Sequence, residues 1–319
     1  MRRLIAPVLA TLLVLSGCSG GGGEAEKTAS GPSVETKFGS IEVPKDPQKV
    51  VALGWGDAET ALALGVQPVG ASDWVEFGGK GVGPWAEDLY DKAPTLIKTM
   101  EPDYEAIAGL EPDVILDTKS SGDKKRYDRL SEIAPTVDVP KGGDNYLTSM
   151  DQQVTMVAKA LGKDEEGRKA LADLDTTFDE AKSAHPEFDG KSVTVAAKTS
   201  EGWGAYVEGT ERVQFMENLG FTQSKKIAAL KSENFTAPVS EENLDDLDAD
   251  LLVTFPIYIP DTEVTSDAAF KRIPAVKDGR SLVLTDDLDE VRKAFSLNSV
   301  LSASYAAEKM PDLIAKATK

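Results

Sequence analysis

Glu105-Ala-Ile107-Ala-Gly-Leu110-Glu-Pro-Asp113-Val-Ile-Leu116 and Glu242-Asn-Leu244-Asp-Asp-Leu247-Asp-Ala-Asp250-Leu-Leu-Val253 are two copies of one pattern, 137 positions apart. In each copy a carboxylate precedes apolar residues spaced i and i+3. That spacing predicts a short helix burying one face. An Asp and a run of branched apolar residues follow, which predicts a buried strand. The period is far too long for a solenoid, so the repeat marks two duplicated α/β lobes with a cleft between them. Clefts of this kind are where small ligands bind.

Outward from the repeat, strands and helices alternate in both halves. Val50 to Gly54 reads as a strand, Asp57 as the cap of the helix that follows, and Gly65 as its C-terminal stop. Pro68 to Ser72 reads as the next strand, and the Gly- and Pro-rich stretch 73–100 as mostly loop. The repeat predicts helix 104–110 and strand 113–117. Lys124 to Ile133 is helical in pattern and Pro135 to Val139 extended. A helix over 146–161 ends at Gly162, and Asp164 to Ala184 forms one amphipathic helix of roughly 30 Å. It lies between the two copies and predicts a stiff strut joining the lobes. Beyond it come strand 192–198, helix 211–219, helix 241–247, strand 250–255, strand 281–285 and a closing helix over 298–317. Alternation in both halves implies mainly parallel sheets.

The N-terminus reads as a targeting segment. Arg2 and Arg3 precede a short apolar stretch, Leu4 to Leu15, too short to stay in a bilayer. It ends in Leu15-Ser16-Gly17-Cys18, which resembles the processing box of bacterial lipoproteins. That resemblance implies cleavage before Cys18 and its acylation. Gly20 to Gly31 then reads as a polar tether. The expected organisation is a signal peptide over 1–17, a flexible tether over 18–37, an N-terminal lobe over 38–162, a connecting helix over 163–188 and a C-terminal lobe over 189–319. The chain is thus expected on the extracytoplasmic face of the cell membrane, held by lipid and not spanning it. Cys18 is the sole cysteine and His185 the sole histidine. An internal disulfide, a thiolate cluster and a His-rich metal site are therefore excluded. A net charge of −19 argues against nucleic acid.

Pro47-Gln-Lys-Val-Val-Ala-Leu-Gly54, Glu59 with Ala63-Leu-Gly-Val-Gln-Pro-Val-Gly70, and Asp103 through Leu116 follow one another along the chain. Ile133-Ala-Pro-Thr-Val137, Leu219-Gly-Phe221, Val239-Ser-Glu-Glu242 and Ile273-Pro-Ala-Val-Lys-Asp-Gly-Arg280 continue the series. From about residue 38 onward the series resembles the iron-siderophore periplasmic binding proteins of ABC importers. The resemblance implies two Rossmann-like α/β lobes joined by one long rigid helix, the helical-backbone (class III) type. It implies a monomer that binds a ferric siderophore and delivers it to the transmembrane subunits of an ABC permease. It implies no cofactor, since iron arrives already chelated, and no resident metal. It also implies that Glu105 and Glu242, one on each lobe, dock basic pockets of the permease, although either carboxylate would suit a helix N-terminus anyway.

Ligands of parallel α/β sheets sit at the carboxyl ends of strands. That rule selects Trp55, Trp74 and Lys119, with Lys124 and Arg126 just beyond, in the first lobe. In the second it selects Lys198, Trp203, Tyr206, Tyr258 and Arg292. Aromatic walls with a few basic groups suit a ferric siderophore. The Gly flanks of Trp203 read as an exposed loop. Trp55 and Trp203 as core, Lys124 to Arg126 as a solvated helix start, and Arg292 paired with Asp289 or Glu290 are the plainer alternatives. Other functions compatible with the fold are a receptor for haem or cobalamin, or a structural lipoprotein. A surface hydrolase would need a nucleophile and base, and beyond Cys18 the chain offers no Cys nucleophile and only His185 as a histidine base.

Overall fold

Val114-Ile-Leu-Asp117 is fully buried on both faces, which only a central strand of a parallel sheet permits. The computed structural model describes residues 30–230, 232 and 234–318, and builds the chain around two such strands. A hairpin, β1 (Ser30–Thr36) and β2 (Gly39–Pro44), comes first. β3 (Val50–Ala52), α1 (Asp57–Ala63), β4 (Gly70–Ser72), β5 (Thr95–Ile97), α2 (Tyr104–Gly109), β6 (Val114–Asp117), α3 (Lys124–Ser131) and β7 (Thr136–Asp138) form the first lobe. Its sheet is five-stranded and wholly parallel, in the order β5-β4-β3-β6-β7.

α4 (Met150–Leu161) and α5 (Asp164–Ala184) then lead to the second lobe. That lobe holds β8 (Ser192–Thr199), β9 (Gly202–Tyr206), α6 (Glu211–Asn218), β10 (Thr222–Gln223), α7 (Lys225–Ala228), β11 (Thr236–Val239), β12 (Leu251–Pro256), α8 (Thr262–Thr265), α9 (Pro274–Lys277), β13 (Ser281–Val283), α10 (Asp289–Leu297) and α11 (Val300–Ala317). The strand order is β11-β9-β8-β12-β13, with β10 beside β8.

The duplication is visible atom by atom. In the first copy Asp113 Oδ2 accepts from the backbone N–H groups of Gln48 and Lys49 at the entry to β3. In the second, Asp250 Oδ2 accepts from the Ser192 N–H and hydroxyl at the entry to β8. Each Asp pins the start of the neighbouring strand.

Several expectations need correction. Residues 30–36 are not tether: Val34 alternates inward, is buried with Val43, and packs on α4. Signal peptide, Cys18 and tether residues up to 29 lie outside the described residues. The helix expected over 241–247 is present, as a 3₁₀ helix kinked at Asn243. Leu244 and Leu247 still bury together, because 3₁₀ geometry stacks i over i+3. The second sheet is mixed. Only Ser200 and Glu201 separate Thr199 from its partner Gly202, too short a link for a crossover, so β9 runs antiparallel to β8. Asp57 is not a helix cap, since Gly56 holds that place. The closing helix starts at Val300 and runs through Pro311 without the interruption that this residue suggests: Asn298, left-handed (φ 48°), ends α10, and Ser299 caps α11 in a reciprocal box with Ser302.

α4 carries a capping box, Ser149 with Gln152, and stops at the left-handed Gly162. α5 lacks a side-chain cap, but Asp164, Glu165 and Glu166 in its first turn offset the dipole. Its Gly167 lies against α4, while Leu174 and Phe178 enter the second lobe's core. α5 therefore packs on both halves.

Candidate functional site

A cavity of about 850 Å³ opens between the lobes at the carboxyl ends of the strands. Trp55 follows β3, Trp74 follows β4, Thr99 and Met100 follow β5, and Lys119 follows β6. From the other lobe come Tyr206 at the end of β9, the segment Phe255 to Pro260 from β12, and Arg292 on α10.

The wall is aromatic across the seam. Trp55 and Trp74 lie 5.3 Å apart by ring centroid, and Tyr146 meets Trp74 edge-on at 5.5 Å. Trp74 donates its indole N–H to Leu53 O in its own lobe, and Trp55 donates to Leu297 O in the other. In the second lobe Tyr206 stacks between Phe235 and Phe255. The Arg212 guanidinium bridges these groups: it lies 4.7 Å from the Tyr206 ring, 5.7 Å from Trp55 and 5.8 Å from Phe255. Arg212 also donates from Nη2 to Ser296 O at 2.8 Å. The rim is apolar and exposed, with Met100 at 69% and Tyr258 at 80%.

Glu76, Tyr146 and Tyr258, all on the wall, adopt left-handed backbone with φ of 57°, 61° and 55°. Each such residue costs on the order of 1–3 kcal/mol, a strain that clusters at ligand clamps.

Charge beneath the wall is tightly matched. Lys119 is buried in contact with Glu211, and burial together with Arg212 pushes its ammonium down to about 7 against the pull of Asp57. Asp57, also buried, accepts from Gly54 N, Thr118 N, Thr118 Oγ1 and Gln153 Nε2, and burial lifts its carboxyl to about 6. Glu59 accepts from Ser299 of the second lobe and from the Trp85 indole; burial raises its pKa too. Arg292 is held by Asp286 at 2.9 Å and Asp289 at 2.6 Å.

Six of the ten expected ligand residues reach this wall: Trp55, Trp74, Lys119, Tyr206, Tyr258 and Arg292. Four do not. Trp203 is a core residue on β9, only 4% exposed, and stacks on Phe270 at 5.3 Å. It follows from the hairpin, which turns a Gly-flanked loop into a strand. Lys198 turns away to Asp267 and Glu263 O, both at 2.7 Å. Lys124 is exposed and pairs with Asp128 on its own helix. Arg126 grips the buried Asp117 through two hydrogen bonds of 2.7 and 2.9 Å. Its Nη1 donates to Thr99 O, so it braces the wall from behind.

Arg212, Tyr146, Met100, Phe235 and Phe255 were not among the expected ligand residues. Arg212 lies on α6 beyond β9, an antiparallel strand to which the rule for parallel strand ends does not apply. Glu105 is exposed on the first turn of α2, and Glu242 is exposed on the 3₁₀ helix, so the repeat gives both the same setting. His185 ends α5, stacked on Phe188 at 4.9 Å. Among the described residues, no three His, Cys, Asp or Glu side chains gather as a metal site.

Three comparisons bear on this geometry. A family model described as periplasmic binding protein matches residues 50–288. The probable siderophore-binding lipoprotein YfiY of Bacillus subtilis (strain 168) is 29% identical over 299 residues, covering 87% of this chain and 88% of that one. The Fe(3+)-citrate-binding protein YfmC of the same strain is 28% identical over 256 residues, covering 78% and 77%. Among solved structures, PiaA of Streptococcus pneumoniae TIGR4 in complex with ferrichrome aligns with a TM-score of 0.77 at 27% identity. It covers 90% of this chain and 98% of PiaA.

Proposed function

Because the chain belongs to the periplasmic binding protein family, we propose that it is the solute receptor of an ABC importer and carries a ferric siderophore between its lobes. One observation carries this reading: a cavity of about 850 Å³ between the lobes, walled by aromatic rings from both of them around the Arg212 guanidinium. Such a wall stacks on an organic scaffold and donates to chelating oxygens. The ferrichrome complex of PiaA and the siderophore relative YfiY support the same class of cargo. The ligand is bound and released unchanged, with iron held by its own chelator.

Delivery follows from the same reading. Cys18 carries the acyl anchor that keeps the chain at the extracytoplasmic face of the membrane, where the receptor acts as a monomer. Glu105 and Glu242, exposed at equivalent places of the two copies, orient the loaded receptor on the permease by charge complementarity.

The test is Trp fluorescence, since Trp55 and Trp74 form the wall. Titration with ferric siderophores, haem and cobalamin should give saturable quenching by a ferric siderophore alone. Quenching by haem or cobalamin with every siderophore silent would reject the assignment.

A further inference from the structure

We propose that the cavity takes a formally neutral ferric chelate of the trihydroxamate kind, with Arg212 donating to its iron-bound oxygens, and disfavours polyanionic catecholate or citrate complexes. This rests on the ferric-siderophore reading and adds the chemistry of the chelating groups. Iron(III) wants six oxygens. Three hydroxamates supply them with one negative charge each, which cancels the metal charge. Three catecholates bring two charges each and leave a trianion.

The wall's charge decides between them. Four cationic side chains line it, and four carboxylates line it with them. Lys119 is in contact with Glu211. Arg292 has Asp286, Asp289 and, at 3.6 Å, Asp261. Lys293 has Asp289 at 3.2 Å and donates to Glu76 O. Among the described residues, Arg212 alone of the four lacks a carboxylate partner. A polyanion would have to displace these acids or sit against them, and a half-buried unmatched charge is poorly tolerated. The chain's net charge of −19 adds a repelling field.

A neutral chelate needs no net charge from the wall. It needs donors aimed at partly negative oxygens and apolar area for its scaffold. Arg212 spends one N–H on Ser296 O, and its buried Nε has no partner among the described residues. A guanidinium has five such donors, and this one is fixed by the rings beneath it. Beside it, Glu211 Oε1 is buried without a hydrogen-bond partner, an acceptor that an anionic ligand would face directly.

The experiment titrates the chain's Trp fluorescence with four probes: ferrichrome, a linear ferric trihydroxamate, ferric enterobactin and ferric dicitrate. At least one trihydroxamate should bind about tenfold or more tightly than both anions. Its affinity should change less than about threefold between about 0.05 and 0.5 M salt, because no net charge is being paired. Arg212→Gln should weaken the trihydroxamate by about 10–100-fold. The double variant Asp286→Asn with Asp289→Asn, which frees Lys293 and leaves Arg292 only the more distant Asp261, should bind the anions more tightly than the parent does. Tighter binding of either anion by the parent chain overturns the proposal and leaves the siderophore reading standing. Silence towards all four probes overturns both. The salt comparison needs no variant, so it decides even where a substitution fails to fold.

Discussion

Asp138 lies in register with Asp117 on the neighbouring strand, and both are buried. Arg126 is spent on Asp117, and Asp138 Oδ2 has no hydrogen-bond partner among the described residues. Burial first, then the Asp117 charge, raises the Asp138 carboxyl to about 8. The folded chain therefore keeps a proton that the unfolded chain releases near pH 4. Between those values stability falls as pH rises, because the folded state binds more protons. Asp57, raised to about 6, acts with the same sign. Asp138→Asn should therefore gain about 1–3 kcal/mol at pH 8 and little at pH 4. Urea midpoints at the two pH values check it; an equal shift at both would remove the protonation argument. Tyr258 is the opposite case. Its ring is exposed at the cavity mouth on a strained backbone, so it contributes to the ligand and not to the core. Tyr258→Ala should leave the unfolding midpoint within about 0.5 kcal/mol while weakening ligand binding by about tenfold. A drop in stability with ligand affinity intact would contradict this.

At the scale of elements, the α4–α5 crossing is set by one residue. A Cβ on Gly167 would sit 2.7 Å from Ala158 Cβ, an atom fixed to the α4 backbone. Gly167→Ala would ordinarily gain about 1 kcal/mol of helix propensity. Here overpacking should outweigh that gain and give a net loss of about 1–3 kcal/mol. A thermal melt showing a rise instead would mean that the helices separate freely. The strut and the central strand of each lobe are legible in the sequence, because each is a run of buried or amphipathic residues with local punctuation; β5 is not, because it lies in the Gly- and Pro-rich stretch 73–100 that reads as loop. The hairpin of β8 and β9 is not, because Ser-Glu-Gly-Trp-Gly has loop composition. Burial beneath Phe270 overrides that composition and takes Trp203 out of the site.

In the whole molecule the two lobes are joined by more than α5. Glu59 of α1 accepts from Ser299 at the start of α11, Trp55 donates to Leu297 O, and Trp85 packs on Tyr305 at 4.7 Å. These links restrain how far the lobes can part. Glu105 and Glu242, each exposed on one of the two tied lobes, are the carboxylates proposed above to dock the permease. Glu105→Ala or Glu242→Ala should leave ligand affinity unchanged and reduce cellular uptake of the iron chelate, on the order of tenfold. Lost ligand binding in either variant, or undiminished uptake, would count against docking. What the sequence by itself determined is the duplicated α/β architecture, the strut and the ends of the strands where a ligand sits. Those follow from apolar periodicity and turn residues, which act over a few positions. Only the tertiary structure decided which basic groups face the cavity. Lys198 and Arg126 are drawn off by Asp267 and Asp117, residues 69 and 9 positions away, while Arg212 is left without an acid. Charge pairing depends on who lies nearby in space, and linear order does not carry that.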